Sequence, residues 1–435
     1  MANIFANFAF DQSDLDLYRV NVNATAVNFF DNENVVFNGI TYRDVILIEG
    51  FGFASAFGGP SISFSNFFGV QGGTITGYIE FISGPTLAYG IENISVSAVD
   101  LYQAGLTPSV DDEYEVVNSA LAGDDSFNLS PFADFAYGRG GNDVFQGNGG
   151  NDTLLGEDGE DRIDGGAGDD LLDGGAGVDS AIYSGNQNSY SLTLSSSGTT
   201  IVDRRGDGNG TDTLIGIELL DFDIRLPTSI GPFDLQGFGG TTVLTAQDFE
   251  TFIELYIAYF NRAPDAVGLN FWGTAFANGL TLDQMATLFV DQDETRTTYP
   301  DGTSNTDFVT AVYDNVLGRI PDQDGFSFWV DMLNRSEETG VTRDQFILEV
   351  LRGVQDGSPD RAYLDTKVDI GAYFAVHRGM SDTSNAAAAM ALFDGSQDSV
   401  SSAVAAIDGY YQDALDPNSG EFLMQVVGVL DSPFS

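Results

Sequence analysis

The sequence predicts a multidomain fold with an N-terminal all-β domain, a central parallel β-roll with a β cap, and a C-terminal all-α domain. Three observations lead to this prediction. Residues 1–118 alternate like strands, residues 119–182 repeat a glycine and aspartate pattern every nine residues, and apolar residues beyond residue 240 follow helical spacing. A length of 435 residues is enough for roughly two to four domains.

Composition excludes several classes of partner and chemistry. With 16 basic and 65 acidic side chains, the formal charge is -49, and a surface this acidic repels nucleic acid and anionic membranes. The chain has no Cys, which excludes disulfide frameworks, thiol catalysis and cysteine-ligated metal centres. Because no uninterrupted apolar run reaches the ~18 residues that a membrane-spanning helix needs, we expect no transmembrane segment.

The N-terminal domain, residues 1–118, is predicted from strand-like segments separated by turn residues. They fit either a small β-sandwich or a β-rich extension stacked on the roll. The aromatic, glycine-rich stretch from Gly50 to Gly59 would mediate self-association if it is exposed, and otherwise packs as an ordinary loop. The strand candidates are Ile40 to Ile48, Ser61 to Phe68, Thr74 to Ile82 and Ile91 to Val99.

A nine-residue repeat organises residues 119–182. In its best units glycine occupies the first and fourth places, while Asp takes the sixth place and an apolar residue the eighth in all seven units. Glycine permits a tight turn and one apolar residue suits a short strand facing a shared interior, so each unit is predicted to be a turn followed by a strand. The sixth-place residues are Asp125, Asp134, Asp143, Asp152, Asp161, Asp170 and Asp179.

Stacked units would place turn carbonyls and Asp carboxylates of successive coils side by side. Such an all-oxygen cage suits Ca²⁺, and without a cation the carboxylates would repel one another. The alternative, a flexible acidic linker, would not keep the Asp and apolar places in phase over seven units. Weaker sites are expected toward Asp125 and Asp134. The predicted ligands of the better sites are Gly138, Gly140, Asp143, Gly147, Gly149, Asp152, Gly156, Asp158, Asp161, Gly165, Ala167, Asp170, Gly174, Ala176 and Asp179.

These units resemble the hemolysin-type (RTX) nonapeptide, whose pattern Gly-Gly-x-Gly-x-Asp-x-apolar is complete from Gly165 to Leu172. The second glycine is replaced by Arg139, Asn148 and Glu157 in three units. The resemblance implies a calcium-binding parallel β-roll in which each ion lies between units two apart. Five good units therefore imply about three complete Ca²⁺ sites.

Residues 183–225 are predicted to form the β cap, because the end of a roll otherwise presents open strand edges. The β-prone pieces Ser191 to Leu194 and Thr211 to Phe222 resemble the segment that closes such rolls in secreted bacterial proteins. Residues 226–240 hold two prolines and four glycines and are predicted to be a linker.

Residues 241–378 are predicted to be a duplicated helical domain. Each copy reads as a helix, an Arg-x-Pro-Asp-x-x-Gly turn, a Phe-Trp helix and a Thr-capped helix, and the two turns begin at Arg262 and Arg319. The segment resembles a bacterial helical domain of unknown function that is often joined to hemolysin-type repeats or found in surface proteins. That resemblance implies a secreted or surface context and no established chemistry.

The paired turns have two interpretations. In one, the tryptophans pack into the helical core and each Arg bonds local carbonyls or the turn Asp. In the other, a Trp beside an Asp forms a glycan-stacking platform or an additional cation site. The residues concerned are Asp265, Trp272, Asp322 and Trp329.

Both ends of the chain bear on export. The first residues lack the positive charge of a cleaved secretory signal. Residues 379–435 are predicted to be a helical acidic tail without Lys, Arg or His, which resembles the C-terminal signal of type I secretion substrates, although its helices could equally complete the helical domain. We therefore expect an extracellular or cell-surface protein that the type I machinery exports without an N-terminal signal peptide.

The usual catalytic motifs are missing. His377 is the single histidine, expected on a helix surface, and neither Gly-x-Ser-x-Gly nor His-Glu-x-x-His occurs. The leading expectation is a non-enzymatic secreted protein that folds on Ca²⁺ and contacts itself, the cell envelope or glycans. The alternative is a secreted glycosidase or polysaccharide lyase, because two carboxylates suffice for glycoside hydrolysis.

Overall fold

The computed structural model describes residues 1–12, 17–37, 39–50, 52–65, 69–82, 86–109, 111–225 and 231–434. These residues form two compact units, the first made of residues 1–185 and 205–233 and the second of residues 186–204 and 234–435. Residues 66–68 of a predicted strand and 226–230 of the predicted linker lie outside the described ranges.

The N-terminal part of the first unit is a sheet with short helices. Its β-branched and aromatic residues suit the pleated, half-buried surface of strands. The elements are β1 (Asn3–Ala6), α1 (Leu17–Val22), β2 (Ala24–Phe30), β3 (Val35–Phe37), β4 (Ile40–Tyr42), β5 (Asp44–Gly50), β6 (Phe53–Gly59), β7 (Ser63–Ser65), β8 (Gly69–Gly72), β9 (Thr74–Ile82), β10 (Thr86–Ser97), α2 (Ala98–Ala104) and α3 (Asp111–Ala120).

The strands β2, β5, β6, β9, β10 and β1 pair in that order and are antiparallel. The region is β-rich as predicted, but the three helices among its described residues make it more than an all-β domain. The predicted strand ending at Val99 stops at Ser97, whose Oγ accepts the N–H of Asp100 at 3.3 Å and caps α2. Most of the stretch from Gly50 to Gly59 is neither a loop nor exposed, because β6 lies between β5 and β9 and its last five residues are buried.

The repeats form two runs of short parallel strands. Alternate units pair, so that β11, β13, β15 and β17 form one run, and β12, β14 and β16 the other. Every eighth-place residue is at most 1% exposed, and β1 pairs in parallel with the first strand of the first run. The strands are β11 (Ser126–Asn128), β12 (Phe135–Tyr137), β13 (Val144–Gln146), β14 (Thr153–Leu155), β15 (Arg162–Asp164), β16 (Leu171–Asp173) and β17 (Ser180–Asn186).

The predicted cap segment is divided between the units. In the first unit, β20 (Thr211–Ile215) pairs in parallel with β16 and is followed by β21 (Leu219–Ile224). In the second unit, β18 (Tyr190–Ser195) pairs antiparallel with β19 (Gly198–Asp203). Strand β18 also pairs in parallel with β23 (Leu423–Val427), which lies in the C-terminal tail.

The second unit is mainly helical, as predicted, and contains the small sheet just described. A short strand, β22 (Phe233–Asp234), precedes it, together with 3₁₀ turns at residues 235–237 and 239–243. The helices are α4 (Ala246–Phe260), α5 (Ala266–Ala277), α6 (Leu282–Val290), α7 (Asp293–Thr298), α8 (Asn305–Leu317), α9 (Gln323–Asn334), α10 (Ser336–Thr339), α11 (Arg343–Gly353), α12 (Pro359–Ala372), α13 (Thr383–Ala391) and α14 (Gln397–Ala414).

The duplication is visible in the helices, since α4, α5 and α6 correspond in sequence to α8, α9 and α11. Thr245 and Thr281 form capping boxes at α4 and α6, whereas Thr342 makes no side-chain cap at α11. The stretch from the Trp to the Thr before the third helix is four residues longer in the second copy, and α10 lies in that stretch. His377 is half-buried in a π-helical turn after α12, not on an open helix surface.

Candidate metal centre

The sixth-place Asp side chains form two hydrogen-bonded ladders. The backbone N–H of each Asp donates to Oδ1 of the Asp 18 residues later, with N to O distances of 2.7–2.8 Å. This spacing follows directly from the pairing of alternate units. The first ladder joins Asp125, Asp143, Asp161 and Asp179, and the second joins Asp134, Asp152 and Asp170.

The second oxygen of most ladder carboxylates is buried without a hydrogen-bond partner among the described residues. These Asp residues are at most 3% exposed. An unsatisfied buried polar group costs roughly 1–3 kcal/mol and a charged one more, so a row of them fits oxygens that bind a cation. Their donor type is the one that Ca²⁺ prefers. The atoms are Oδ2 of Asp125, Asp143, Asp152, Asp161, Asp170 and Asp179.

The first-place glycines leave room beside these oxygens. A Cβ atom on Gly156 would lie 2.1 Å from Asp161 Oδ2 and 2.6 Å from the carbonyl oxygen of Gly174, far inside contact distance. Gly156 does not have a positive φ, so space and not backbone conformation requires glycine here. The same crowding by the Asp oxygen holds at Gly138, Gly147, Gly165 and Gly174.

Main-chain carbonyls of the third place lie in the same turns. The N–H groups of Gly141, Gly150 and Gly159 donate to the carbonyls of Asp158, Ala167 and Ala176, each at 2.9 Å. Each carbonyl keeps a second lone pair for a cation.

No cluster of three or more Asp, Glu or His side chains that could hold a metal occurs in the described ranges. Carbonyl oxygens must therefore complete any Ca²⁺ site. The bridges between these places pair Gly140 with Asp158, Gly149 with Ala167, and Asp158 with Ala176.

The two ladders begin differently. Oδ1 of Asp125 accepts the N–H of Ala2, and its Oδ2 remains without a partner in the described chain. Asp134 accepts the N–H of Phe10, and both of its oxygens also accept from Ser130. Because Ser130 donates hydrogen bonds to both oxygens of Asp134, the start of the second ladder resembles a capped coil more than a cation site.

Sequence reasoning missed the carboxylates that end the ladders. Asp212 Oδ1 accepts the N–H of Asp170 at 3.0 Å, and Glu218 Oε2 accepts the N–H of Asp179 at 2.9 Å. The signal for Asp212 is the spacing Gly210, Asp212, Leu214, which repeats the fourth, sixth and eighth places of a unit. No comparable pattern surrounds Glu218.

The second place tolerates residues other than glycine at a cost. Arg139, Asn148 and Glu157 all have left-handed backbones, with φ between 70° and 78°. That conformation costs a non-glycine residue roughly 1–2 kcal/mol. Arg139 and Glu157 compensate in part through an ion pair of 3.3 Å between stacked coils. These departures from the pattern therefore preserve the turn.

Burial raises the pKa of the ladder carboxyl groups, and neighbouring carboxylates add to the shift in most of them, while the accepted N–H bonds oppose it. The pKa rises to about 8 for Asp143 and Asp152, and to about 6 for Asp161 and Asp170. It rises to about 8 for Asp212 as well. The pKa is also raised for Asp125, Asp134 and Asp179. In the absence of a cation, the folded coils therefore hold protons near neutral pH.

These shifts predict how the ion-free fold responds to pH. The folded coils retain protons that the unfolded chain releases above its ordinary pKa of 3.8. The free energy of unfolding in chelator should therefore fall as pH rises from about 4 to about 8. Ca²⁺ competes with the protons, so its affinity should increase over the same range. Circular dichroism in chelator from pH 8 down to pH 5 tests this, because the repeats should gain β structure as the pH falls, and more β structure at pH 8 than at pH 5 would contradict it.

In the second unit, the two Asp residues of the repeated turns are helix caps. Asp265 Oδ1 accepts the N–H of Gly268 at 2.7 Å at the start of α5. Asp322 Oδ1 accepts the N–H of Gly325 at 2.8 Å at the start of α9. The turn motif thus has a structural explanation, since a capping Asp satisfies free N–H groups.

The two tryptophans pack in equivalent places. Trp272 and Trp329 are half-buried, and their rings meet Phe289 and Phe346 edge to face at 5.1 Å between centroids. This contact matches the core-packing interpretation, and the remaining exposure keeps a ligand contact open. Trp272 also lines a cavity of about 310 Å³.

The turn arginines differ between the copies. The Arg262 side chain is 7% exposed and contacts Asp265 at 3.1 Å and Glu294 at 2.8 Å. The Arg319 side chain is 43% exposed and pairs with Asp360 at 2.6 Å. In the first turn, Asp265 is therefore a partner of the buried Arg262 charge. In the second turn, the Arg319 charge is more exposed and pairs with Asp360.

This difference predicts unequal effects of two matched substitutions. Asp265→Ala removes a cap and a partner of buried Arg262, so the free energy of unfolding should fall by roughly 2–3 kcal/mol. Asp322→Ala removes only a cap at an exposed turn and should cost about 1 kcal/mol. Denaturant titration of the calcium-loaded protein measures both. Equal losses would show that the Arg262 contacts add nothing.

Comparison with known families agrees with this geometry. Residues 119–154 and 146–181 match the RTX calcium-binding nonapeptide repeat (4 copies). Residues 286–352 match the domain of unknown function DUF4214. No curated protein matches the chain. The chain thus carries RTX calcium-binding repeats joined to a DUF4214 domain, which confirms the resemblance inferred from the sequence.

The repeats support Ca²⁺ binding and a secreted protein. Among the described helices, none has the length and apolar character required to cross a bilayer.

Proposed function

We propose that this chain is an exported structural or surface protein whose repeats, residues 119–182, fold into a β-roll when Ca²⁺ binds. The observation that carries this proposal is the row of buried Asp oxygens without hydrogen-bond partners in the described ranges. The RTX match supports the choice of Ca²⁺ as the cation. The bound ions would neutralise the carboxylates and join coils two units apart, at about three complete sites.

Calcium would act as a folding switch tied to export. At low Ca²⁺ inside the cell, burying the Asp ladders is unfavourable and the repeats stay unfolded. Outside, Ca²⁺ at the ~0.1–1 mM typical of extracellular modules would drive folding. Residues 379–435 would carry the type I secretion signal and, through α13, α14 and β23, also contribute to the fold of the second unit.

We assign the remaining regions to contacts with the protein itself, the cell envelope or glycans. The proposed division is a β-rich domain at 1–118, a cap within 183–225, a linker at 226–240 and a duplicated helical domain at 241–378. The cavity beside Trp272 supports a glycan contact, because an aromatic face and polar groups meet there. Its lining includes Arg262, Asp265 and Glu294.

An exported polysaccharide-active enzyme is the second candidate, favoured only by the carboxylates of that cavity. Asp265 is already engaged, since one oxygen accepts from Gly268 and the other from Arg262. Glu294 also pairs with Arg262. Carboxylates held by these contacts are poorly placed to act as a general acid or base. We therefore propose a non-enzymatic role.

Light scattering of the full chain in 5 mM Ca²⁺ and in chelator tests the structural role. Assembly in Ca²⁺ that is reversed by chelator, and is weakened by Asp161→Ala, would support it. A monodisperse monomer in both conditions that also fails to bind a polysaccharide panel would reject it. Turnover of any polysaccharide, lost on substitution of one carboxylate, would establish the enzyme instead.

A further inference from the structure

The second Asp ladder does not stop at the last Asp of its contiguous repeats. Asp170 donates its N–H to Asp212, which follows it by 42 residues, although the regular spacing is 18. The additional residues include the whole of β18 and β19. The ladder therefore continues across an insertion.

The fourth-place glycine is present in this later segment. Gly210 has a φ of +84°, and a Cβ on it would lie 2.1 Å from the carbonyl oxygen of Gly168. A Cβ on Gly168 would likewise lie 1.7 Å from the carbonyl oxygen of Gly150. The N–H of Gly168 donates to the Asn209 carbonyl at 3.3 Å. In the regular coils, the N–H of a fourth-place glycine donates in the same way to a third-place carbonyl, as from Gly150 to Ala167.

A fifth-place ladder continues in the same way. In the regular coils, the N–H of Asp169 donates to Oδ1 of Asn151 at 3.1 Å. In the later segment, the N–H of Thr211 donates to Oδ1 of Asp169 at 2.9 Å. The contacts of Asn209, Gly210, Thr211 and Asp212 thus reproduce four consecutive places of a nonapeptide.

The strand of the segment also has the register of a repeat. Strand β20 pairs in parallel with β16, and Leu214 lies opposite Leu172. Leu214 is 3% exposed and fills the eighth place of the shared core. Residues 209–215 therefore occupy the third to ninth places of a coil, and Asp207 stands at the first place, where the regular coils have glycine.

We propose that residues 207–215 are an eighth nonapeptide coil that binds a further Ca²⁺ against the coil of residues 165–173. This inference rests on the proposed Ca²⁺ binding of the regular repeats. The side-chain donors would be Asp170, whose buried Oδ2 has no hydrogen-bond partner in the described ranges, and Asp212, which is 2% exposed. Carbonyls of the two turns would complete the set. The RTX match ends at residue 181 and does not include this coil.

Counting bound Ca²⁺ in the full chain tests the proposal. Asp212→Asn keeps an oxygen to accept the Asp170 N–H but removes the charge, so the variant should fold in Ca²⁺ and bind one ion fewer than the unmodified chain. Asp207→Asn is the matched control, since it removes the same charge from an exposed side chain in the same segment. It should bind the full number. Isothermal titration and metal analysis after dialysis give the counts.

An unchanged count for Asp212→Asn would overturn the eighth coil while leaving the regular sites intact. Equal losses in both variants would attribute the effect to local charge and also reject it. If the unmodified chain binds no Ca²⁺, the proposed function itself fails. If Asp212→Asn does not fold, the Ca²⁺ count of Asp170→Asn decides instead. With an eighth coil, Asp170 is shared by two sites and the variant should bind two ions fewer than the unmodified chain. Without it, Asp170 ends its ladder and the variant should bind one ion fewer, which would reject the proposal.

Discussion

Asp161→Ala is expected to raise the Ca²⁺ concentration at the midpoint of folding roughly tenfold or more. Asp161 accepts the N–H of Asp143 at 2.7 Å and donates its own N–H to Asp179 at 2.8 Å. The substitution leaves the buried N–H of Asp143 without its acceptor. It also removes Oδ2 of Asp161, the buried oxygen that is proposed to bind Ca²⁺. Circular dichroism during a Ca²⁺ titration gives the midpoint.

Asp158→Ala is the matched control in the same turn. The side chain of Asp158 is exposed, and its main-chain N–H and carbonyl make the bonds of the stack, to the Arg139 carbonyl and from the Gly141 N–H. The midpoint should stay within about twofold of the unmodified chain. Asp125→Ala, at the first rung, should have an intermediate effect because it borders one coil of the stack. If Asp161→Ala and Asp125→Ala shift the midpoint equally, the stacked geometry is wrong.

Gly156→Ala is expected to be at least as damaging, although it removes no charge. The added methyl would meet Asp161 Oδ2 at 2.1 Å and the Gly174 carbonyl at 2.6 Å. Overpacking of this kind costs roughly 1–3 kcal/mol, and here it also displaces two oxygens of the candidate site. We expect the loss of at least one bound ion and a midpoint raised roughly tenfold or more.

Gly206→Ala is the control for that substitution. A Cβ on Gly206 has no heavy atom within 4 Å, and Gly206 does not have a positive φ. The ion count and the midpoint should therefore be unchanged. An unchanged ion count for Gly156→Ala would show that the space beside Asp161 is not used by a cation.

The repeat was predictable because its chemistry is local and periodic. Glycine, Asp and the apolar residue recur in phase, so one unit determines the turn, the carboxylate and the core side chain of the next. The hydrogen bonds between Asp residues two units apart follow once alternate units pair. Asp212 escaped prediction because an insertion breaks the period, although the local spacing around it is intact.

Long-range pairing accounts for the features that sequence reasoning missed. Residues 423–427 were expected to belong to a helical tail, yet they form β23 and pair with β18, which lies before the entire helical domain in the chain. No local signal specifies that partner. The segment from Phe422 to Val427, apolar except at Gln425, indicates a strand, and three of its strand residues are buried.

The N-terminal region shows the limit of strand propensity. The alternation that predicts β10 extends through Val99, but the Ser97 cap begins a helix two residues earlier. In the helical domain, the Arg-x-Pro-Asp turn was open to a binding or a packing interpretation. The caps at Asp265 and Asp322 explain the repeated Asp, whereas only the structure shows that Arg262 is buried and Arg319 is exposed.

The most direct test of the central claim is a calorimetric Ca²⁺ titration of the full chain after removal of metal, with circular dichroism recorded at each step. The account predicts uptake of at least three ions, accompanied by a cooperative gain of β structure in the repeat region. A chain that remains fully folded in chelator and shows no Ca²⁺ uptake would contradict it.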